Sequence, residues 1–346
     1  MANGKRFVFL LLAPILYSAV LSAQQNRPSN PPSASRIYLD VVVTPKSGPP
    51  VANLQQQDFT ILDNKTPQHA ASFQAFGGSQ EPVEVVLVID AVNTSYQNLS
   101  YEREEIDKFL RANGGRLLQP TALAFFTDAG IQIQPSFSTD GNALSASLDQ
   151  QVIGLRTIHR DSQYGGSDRV QLSLKALGEI IGHEADHPGR KLMLWVSPGW
   201  PLLSGPRIDL TSKQQDQLFA TIVGLSTQLR QARITLYSVD PLGSGEGVGR
   251  TFYYEEFLKG VGKASKAVVG DLSLQVLATQ SGGLALSSSN DIVSLLQECV
   301  EDTKAYYAIS FDTAPADHRD EYHSLEIRVS KPGLTARTRQ GYYAQP

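Results

Sequence analysis

One run of residues in the chain has the spacing of a zinc-dependent peptidase. The run from His183 to His187 matches the pattern His-Glu-x-x-His, in which two histidines on one helical face bind zinc and the glutamate acts as base. Pro188-Gly189 follows at once, which predicts that the helix ends at the second histidine. We therefore expect a solvated helix end, where imidazoles suit the C-terminal dipole. A zinc metallopeptidase acting through His183, Glu184 and His187 is the less favoured alternative.

Other patterns that could carry catalysis are incomplete. The Gly-rich run from Gly243 to Gly249 follows a strand but lacks the Gly-x-Gly-x-x-Gly spacing of a phosphate-binding loop. The sequence contains no Gly-x-Ser-x-Gly turn that would present a serine nucleophile. The single cysteine, Cys299, shares a helical face with Ile292 and Leu296, so we expect a buried apolar residue rather than a reactive thiol. We accordingly expect that the protein is not an enzyme.

The segments around these motifs alternate between buried strands and amphipathic helices. Two continuous apolar runs, Val85–Ile89 and Leu192–Val196, are typical of strands covered on both faces of a parallel sheet, and Ile234–Val239 is predicted to be a third buried strand. Between such runs, apolar residues recur at helical spacing, as they do from Val170 to Ile181. The alternation predicts an α/β fold with a doubly wound, mostly parallel, Rossmann-like sheet.

Both ends of the chain carry the patterns of short β-strands. Apolar residues alternate within residues 36–78 and again within residues 305–346. Neither block is long enough to bury both of its faces alone. We therefore predict a small β-sandwich formed by both chain ends, with the α/β domain over residues 79–304 inserted between them.

The strand that ends in Asp90 and the segment Ala91–Thr94 after it carry a resemblance to a known family. Together with the order of the elements, they resemble a von Willebrand factor type A domain. The resemblance covers roughly residues 36–344 and implies a module for protein recognition or adhesion. Shorter matches look more specifically like the VWFA-related proteins of acidobacterial genomes, and they are Asp58-Phe59, Asp63-Asn64, Lys331–Leu334 and Gly341–Ala344.

The resemblance also implies a divalent-cation site at the carboxyl end of the sheet. Type A domains often hold the ion through an Asp-x-Ser-x-Ser turn, a downstream Thr and a later Asp, and the ion can accept a carboxylate from a partner protein. The match is incomplete here, because Val92 stands at the first Ser and the segment after the second buried strand offers only Ser197. The residues that the resemblance assigns to this degenerate Mg²⁺ site are Asp90, Asn93, Thr94 and Ser167.

A structural interpretation of the same residues stays open. Asp90 and Thr94 would then cap the following helix and satisfy its free N–H groups. Asp168 and Asp240, both near the same end of the sheet, could instead supply the missing charge of a cation site. Without a metal, the domain would serve as a structural scaffold in an envelope assembly.

The N-terminus has the pattern of an export signal. Lys5 and Arg6 precede an apolar run from Phe7 to Leu21, and small residues follow it. We expect a signal peptide over residues 1–23 and a flexible linker, rich in Pro, Ser, Asn and Gln, over residues 24–35. An uncleaved membrane anchor is the alternative.

Charge and cysteine content limit the partners. The net charge of -4 becomes -6 when cleavage after Ala23 removes Lys5 and Arg6, which disfavours nucleic acid and membrane surfaces. One cysteine permits no intramolecular disulfide, so an exported fold would depend on core burial. We expect a periplasmic, cell-surface or secreted protein whose partner is an envelope or extracellular protein. The sequence predicts no oligomeric state.

Overall fold

The computed structural model describes residues 36–77, 83–151, 163–201, 210–242 and 253–346. The predicted signal peptide and linker, and the Gly-rich run from Gly243 to Gly249, lie outside the described residues. The described strands, in chain order, are β1 (Arg36–Pro45), β2 (Phe59–Asp63), β3 (Thr66–Gln68), β4 (Ala70–Gly77), β5 (Glu84–Asp90), β6 (Arg116–Thr127), β7 (Gly130–Ile133), β8 (Ser138–Asp140), β9 (Lys191–Val196), β10 (Ile234–Val239), β11 (Ala285–Leu286), β12 (Ala305–Asp312), β13 (Glu321–Val329), β14 (Leu334–Arg337) and β15 (Gly341–Ala344). The α-helices are α1 (Tyr96–Gly115), α2 (Gly141–Gln150), α3 (Gln163–Glu184), α4 (Ser212–Gln231), α5 (Leu274–Gln280) and α6 (Ile292–Glu301).

The central sheet is mostly parallel and has the strand order β11-β10-β9-β5-β6-β7. Strands β5, β6, β9, β10 and β11 run parallel, while β7 and β8 pair antiparallel with β6. The chain leaves β5 toward β6 on one side and later returns to β9 on the other side. The carboxyl ends of β5 and β9 therefore flank the point where the strand order reverses, which is where open α/β sheets bind ligands.

Helices cover both faces of this sheet because its strands are apolar on both faces. Alternate residues of a strand point to opposite faces, so Val86 and Val88 of β5 pack into the core beneath α3, α4 and α5. Val85, Leu87 and Ile89 point to the opposite core, which α1, α2 and α6 complete. Cys299 of α6 lies in that second core with no exposed surface, which confirms the prediction of a buried apolar residue.

Both ends of the described chain contribute strands to a β-sandwich. One antiparallel sheet has the order β14-β1-β12-β4, and the other has the order β15-β13-β2-β3. Apolar side chains of β1 and β12 meet those of β2, β13 and β15 in a third core. The predicted fold class, a doubly wound and mostly parallel sheet between the strands of a sandwich built from both ends, is confirmed. The domain boundaries at residues 78 and 304 stay predictions.

Several short elements were not predicted from the sequence. Strands β3 and β8 each have three residues and expose most of them, so no alternation marks them. Helix α2 begins at Gly141, where the Asp140 side chain accepts hydrogen bonds from the backbone N–H groups of Asn142 and Ala143. Strand β7 extends only to Ile133, where the antiparallel pairing with β6 ends. Among the described helices, none has the length and apolarity needed to cross a membrane.

Candidate functional site

Asp90 is the last residue of β5 and lies at the point where the strand order reverses. The residue has no exposed surface, and both of its carboxylate oxygens accept hydrogen bonds from the protein. Oδ1 accepts from the backbone N–H of Val92 at 3.0 Å and of Asn93 at 2.9 Å. Oδ2 accepts from Asn93 Nδ2 at 2.8 Å and from the indole Nε1 of Trp195 at 3.0 Å. These four donors occupy the acceptor positions that a carboxylate offers.

Asn93 connects this carboxylate to helix α3. Its Nδ2 also donates to Ser173 Oγ at 3.0 Å, and Ser173 has no exposed surface. Because Nδ2 faces two acceptors, Oδ1 is the remaining amide atom, and it has no hydrogen-bond partner among the described residues. Asn93 is 8% exposed, so access of this oxygen to bulk water is limited. A buried acceptor without a donor is unfavourable, by about 1–3 kcal/mol.

The geometry of the Asp90 carboxylate does not fit direct coordination of Mg²⁺. The ion needs oxygen ligands with accessible lone pairs in an octahedral array. Asp90 already accepts four hydrogen bonds, and Asn93 presents its amide nitrogen to Asp90. Val92 is fully buried and apolar. A cation at this position would have to displace at least one donor from Asp90.

The other residues considered for a cation site lie around the same end of the sheet. Thr94 is buried, whereas Ser167 is half-buried in the N-terminal part of α3, and Asp168 beside it is exposed. The residue of α3 that hydrogen-bonds to the Asp90 network is Ser173. The network thus combines Asp90 and Asn93, which the resemblance assigns to the cation site, with Ser173 and Trp195, which it does not assign.

Two further candidates stabilise the turns in which they lie. Ser197 Oγ accepts from the backbone N–H of Gly199 at 3.2 Å. Asp240 Oδ1 accepts from the backbone N–H of Leu242 at 2.9 Å. Both follow carboxyl ends of parallel strands, and both close a tight turn there.

The prediction that Asp90 and Thr94 cap the following helix is wrong, because a different residue is the N-cap. The N-cap of α1 is Ser95, whose side chain accepts a hydrogen bond from the backbone N–H of Asn98 at 3.2 Å. Asp90 instead binds the N–H groups of the turn that precedes the helix. Its carboxylate therefore holds the loop over residues 91–95 against the sheet.

The sequence analysis missed Ser173 and Trp195. Trp195 lies in a fully buried strand, and a buried indole N–H usually finds an acceptor. Ser173 is a polar residue on the buried face of an amphipathic helix, which is the signal that could have identified it. Neither signal names Asp90 as the partner, because that depends on the pairing of β5 with β9.

The His-Glu-x-x-His run lies at the opposite, amino end of the central sheet. Helix α3 ends at Glu184, so His187 lies beyond the helix rather than on a shared helical face with His183. The expectation of a solvated helix end is wrong for Glu184, which has no exposed surface. Its carboxylate contacts both histidines, with Oε1 2.8 Å from His183 Nδ1 and Oε2 3.4 Å from His187 Nδ1.

Two residues from the central sheet complete the surroundings of Glu184. Glu84, the first residue of β5, places Oε2 3.2 Å from His187 Nδ1. Lys191, the first residue of β9, donates from Nζ to the backbone oxygen of His187 at 2.5 Å. Burial lowers the pKa of Lys191, while the charges of Glu184 and Glu84 act to raise it. The cluster thus brings two carboxylates, an imidazole and an ammonium group together.

Comparison with known proteins finds distant likenesses among solved structures. No family model matches the sequence, and no curated protein matches it. An aerotolerance-related membrane protein from Bacteroides fragilis is 13% identical, with a TM-score of 0.34 over 64% of this chain and 98% of that chain. The manganese-loaded TRAP protein of Plasmodium vivax is 9% identical, with a TM-score of 0.38 over 78% of this chain and 97% of that chain. The SpRpn10 VWA domain is 13% identical, with a TM-score of 0.28 over 64% of this chain and 97% of that chain.

These likenesses are too distant to carry an argument about function. The fold class rests on the sheet topology of the chain itself, and the function has to be argued from its own residues. The closer resemblance to the VWFA-related proteins of acidobacterial genomes stays a prediction.

Proposed function

We propose that this protein is a non-enzymatic protein-recognition or adhesion module that acts in the cell envelope or outside the cell. The observation that carries the proposal is the position of the Asp90–Asn93 network, outside the carboxyl ends of β5 and β9 where the strand order reverses. The network fixes the loop over residues 91–95, and within the part of the chain that the structure describes Asn93 Oδ1 has no hydrogen-bond donor. The predicted signal peptide over residues 1–23 supports the location.

Exposed aromatic side chains beside this loop support a protein partner. Tyr96 and Tyr101, in the first two turns of α1, are 52% and 39% exposed. The hydroxyl of Tyr101 donates to the backbone oxygen of Asn290 at 2.9 Å, which joins α1 to the loop after β11. Tyrosine is enriched in protein interfaces because a rigid ring supplies a large contact area with few rotatable bonds.

Recognition of this kind does not require a metal ion. The Asp90 carboxylate already has four protein donors, so the loop is held without a cation. Binding of Mg²⁺ by Asp90, Asn93, Thr94 and Ser167 is a separate proposal, which requires Asp90 to release a donor. Partner binding in the presence of EDTA distinguishes the two forms.

The proposal is tested with a photo-crosslinking amino acid placed at position 96 and, as the matched control, at position 38. Tyr38 is also an exposed tyrosine, 43% exposed, but it lies on β1 of the sandwich. Each protein is irradiated with envelope extract and extracellular fractions, with and without EDTA, and adducts are identified by mass spectrometry. We expect a specific protein adduct from position 96 in both conditions and none from position 38.

The other outcomes of the crosslinking experiment would lead to different conclusions about the contact surface. An absence of adducts at position 96, or the same adducts at both positions, would contradict recognition through the loop over residues 91–95. An adduct from position 38 alone would favour the scaffold role, with the sandwich as the contact surface. Loss of the position-96 adduct in EDTA would favour the cation-dependent form.

A further inference from the structure

A second cluster of ionisable side chains lies at the amino end of the central sheet, away from Asp90. Glu84 begins β5, and it pairs in register with Lys191, which begins β9. Helix α3 ends beside them at Glu184, and His187 follows in the turn between α3 and β9. One ligand atom from each of Glu84, Glu184 and His187 lies within 4.8 Å of the others.

The spacing of these atoms suits a small divalent cation. A tetrahedral zinc site with ligand distances of about 2.0–2.2 Å has neighbouring ligand atoms about 3.4 Å apart. His187 Nδ1 lies 3.2 Å from Glu84 Oε2 and 3.4 Å from Glu184 Oε2. Both distances from the imidazole nitrogen therefore match the separation of neighbouring ligands in a tetrahedral zinc site.

Glu184 gives an independent indication of a ligand. The residue has no exposed surface, yet its Oε2 has no hydrogen-bond donor within the described part of the chain. A buried carboxylate oxygen without a hydrogen bond is costly, and a bound cation would lower that cost. The oxygen without a hydrogen bond is the one that lies 3.4 Å from His187 Nδ1.

The surroundings hold the candidate ligands in place. His183 Nδ1 lies 2.8 Å from Glu184 Oε1, so His183 orients the carboxylate as outer hydrogen-bonding groups do at metal sites. Lys191 Nζ binds the backbone oxygen of His187 and fixes that turn. The side chains of His187 and Glu84 are 33% and 25% exposed, which leaves an entry path from solvent.

We propose that Glu84, Glu184 and His187 form a zinc-binding site whose fourth coordination position is open to water. One imidazole nitrogen and two carboxylate oxygens are donors that zinc accepts. This ligand set differs from that of the His-Glu-x-x-His peptidases, since Glu184 binds the ion and His183 serves as a positioning residue. The ion would join the end of α3 to the starts of β5 and β9. This proposal does not depend on the proposed recognition function.

Calorimetric titration with zinc chloride, after removal of metals by EDTA and dialysis, tests the site. We expect the wild-type protein to bind one zinc ion per chain, with binding reduced at least about tenfold in Glu184→Gln and His187→Ala. His318→Ala removes an exposed histidine of the sandwich, and Asp90→Asn alters the opposite end of the sheet. Both control variants should bind zinc as the wild type does.

The result would overturn the proposal if the wild type showed no saturable binding, or if Glu184→Gln and His187→Ala bound zinc normally. Weaker binding in Asp90→Asn alone would also overturn it, because the ion would then lie at the other end of the sheet. Circular dichroism checks the fold of each variant. If Glu184→Gln does not fold, the partly exposed Glu84→Gln replaces it and must show the same loss.

Discussion

The indole N–H of Trp195 donates to Oδ2 of Asp90 at 3.0 Å, across the two paired strands that flank the reversal of strand order. We expect Trp195→Phe to lower the free energy of unfolding by about 1–3 kcal/mol more than a control that loses only ring volume, because a buried carboxylate oxygen loses a donor. Urea denaturation measures the difference.

Trp200→Phe is the control for this substitution. Trp200 is 5% exposed and packs edge-on against Trp195, with ring centroids 5.6 Å apart. Its Nε1 has no hydrogen-bond partner among the residues that the structure describes. Equal destabilisation by the two substitutions would show that the Trp195 hydrogen bond to Asp90 contributes little.

Arg337 of β14, whose side chain is 22% exposed, forms an ion pair with the buried Asp302, which follows α6, and the pair joins the sandwich to the α/β layers. Tyr237 of β10 donates to the same Asp302 oxygen at 2.5 Å. We expect Arg337→Met to lower the free energy of unfolding by about 3–5 kcal/mol, since the buried Asp302 carboxylate would lose its cationic partner. Thermal and urea unfolding both measure this.

The exposed pair of Arg328 and Glu326 provides the comparison. Its side chains are 64% and 52% exposed, and exposed ion pairs contribute little to stability. Arg328→Met should therefore leave the unfolding transition unchanged within error. A similar loss in Arg328→Met and Arg337→Met would argue against a special role of the pair of Arg337 and Asp302.

Asp271 should make stability depend on pH between about 4 and 6. Burial raises the pKa of this carboxyl from 3.8 to about 6, against a smaller opposing effect of the hydrogen bond from the backbone N–H of Val268. Since the pKa is higher in the folded state, the stabilising contribution is fully present below pH 3.8 and is lost as pH rises through about 6. The wild type should therefore gain stability relative to Asp271→Asn as pH falls from 7 to 5, measured by urea unfolding.

Asp291 supplies a comparison of opposite sign. The hydroxyl and backbone N–H of Ser294 donate to its carboxylate at the start of α6 and lower its pKa. Its contribution is present above the unfolded-state pKa and is lost as pH falls below that value. Relative to Asp291→Asn, the wild type should lose stability only at pH values below about 4.

A pH-independent difference in stability between the wild type and Asp271→Asn would contradict the raised pKa of Asp271.

Cys299 should not react with thiol reagents in the folded protein. The residue is fully buried on α6, and burial raises the pKa of its thiol well above the usual value. We expect the rate of modification by a disulfide reagent to follow the unfolding transition as urea is added. Rapid reaction of the native protein would contradict burial of the thiol.

The sequence by itself determined the fold class and the composition of the core. Val85–Ile89 and Leu192–Val196 could be assigned as central strands because a strand covered on both faces needs an uninterrupted apolar run, which a half-exposed strand does not. The helical face that includes Cys299 was recognisable for the same reason, since burial imposes a period on the sequence. Short polar elements such as β3 carry no such period and were missed.

Only the tertiary structure decided which polar residues meet. Trp195 hydrogen-bonds to Asp90 although it lies 105 residues later in the sequence. Ser173 hydrogen-bonds to Asn93 although it lies 80 residues later. His187 meets Glu84 across 103 residues, and their meeting depends on the pairing of β5 with β9. Hydrophobic burial acts on residue type and spacing, which a single sequence displays. Hydrogen bonds and ion pairs depend on the positions of individual atoms, which are fixed only when the strands have paired and the helices have packed on the sheet.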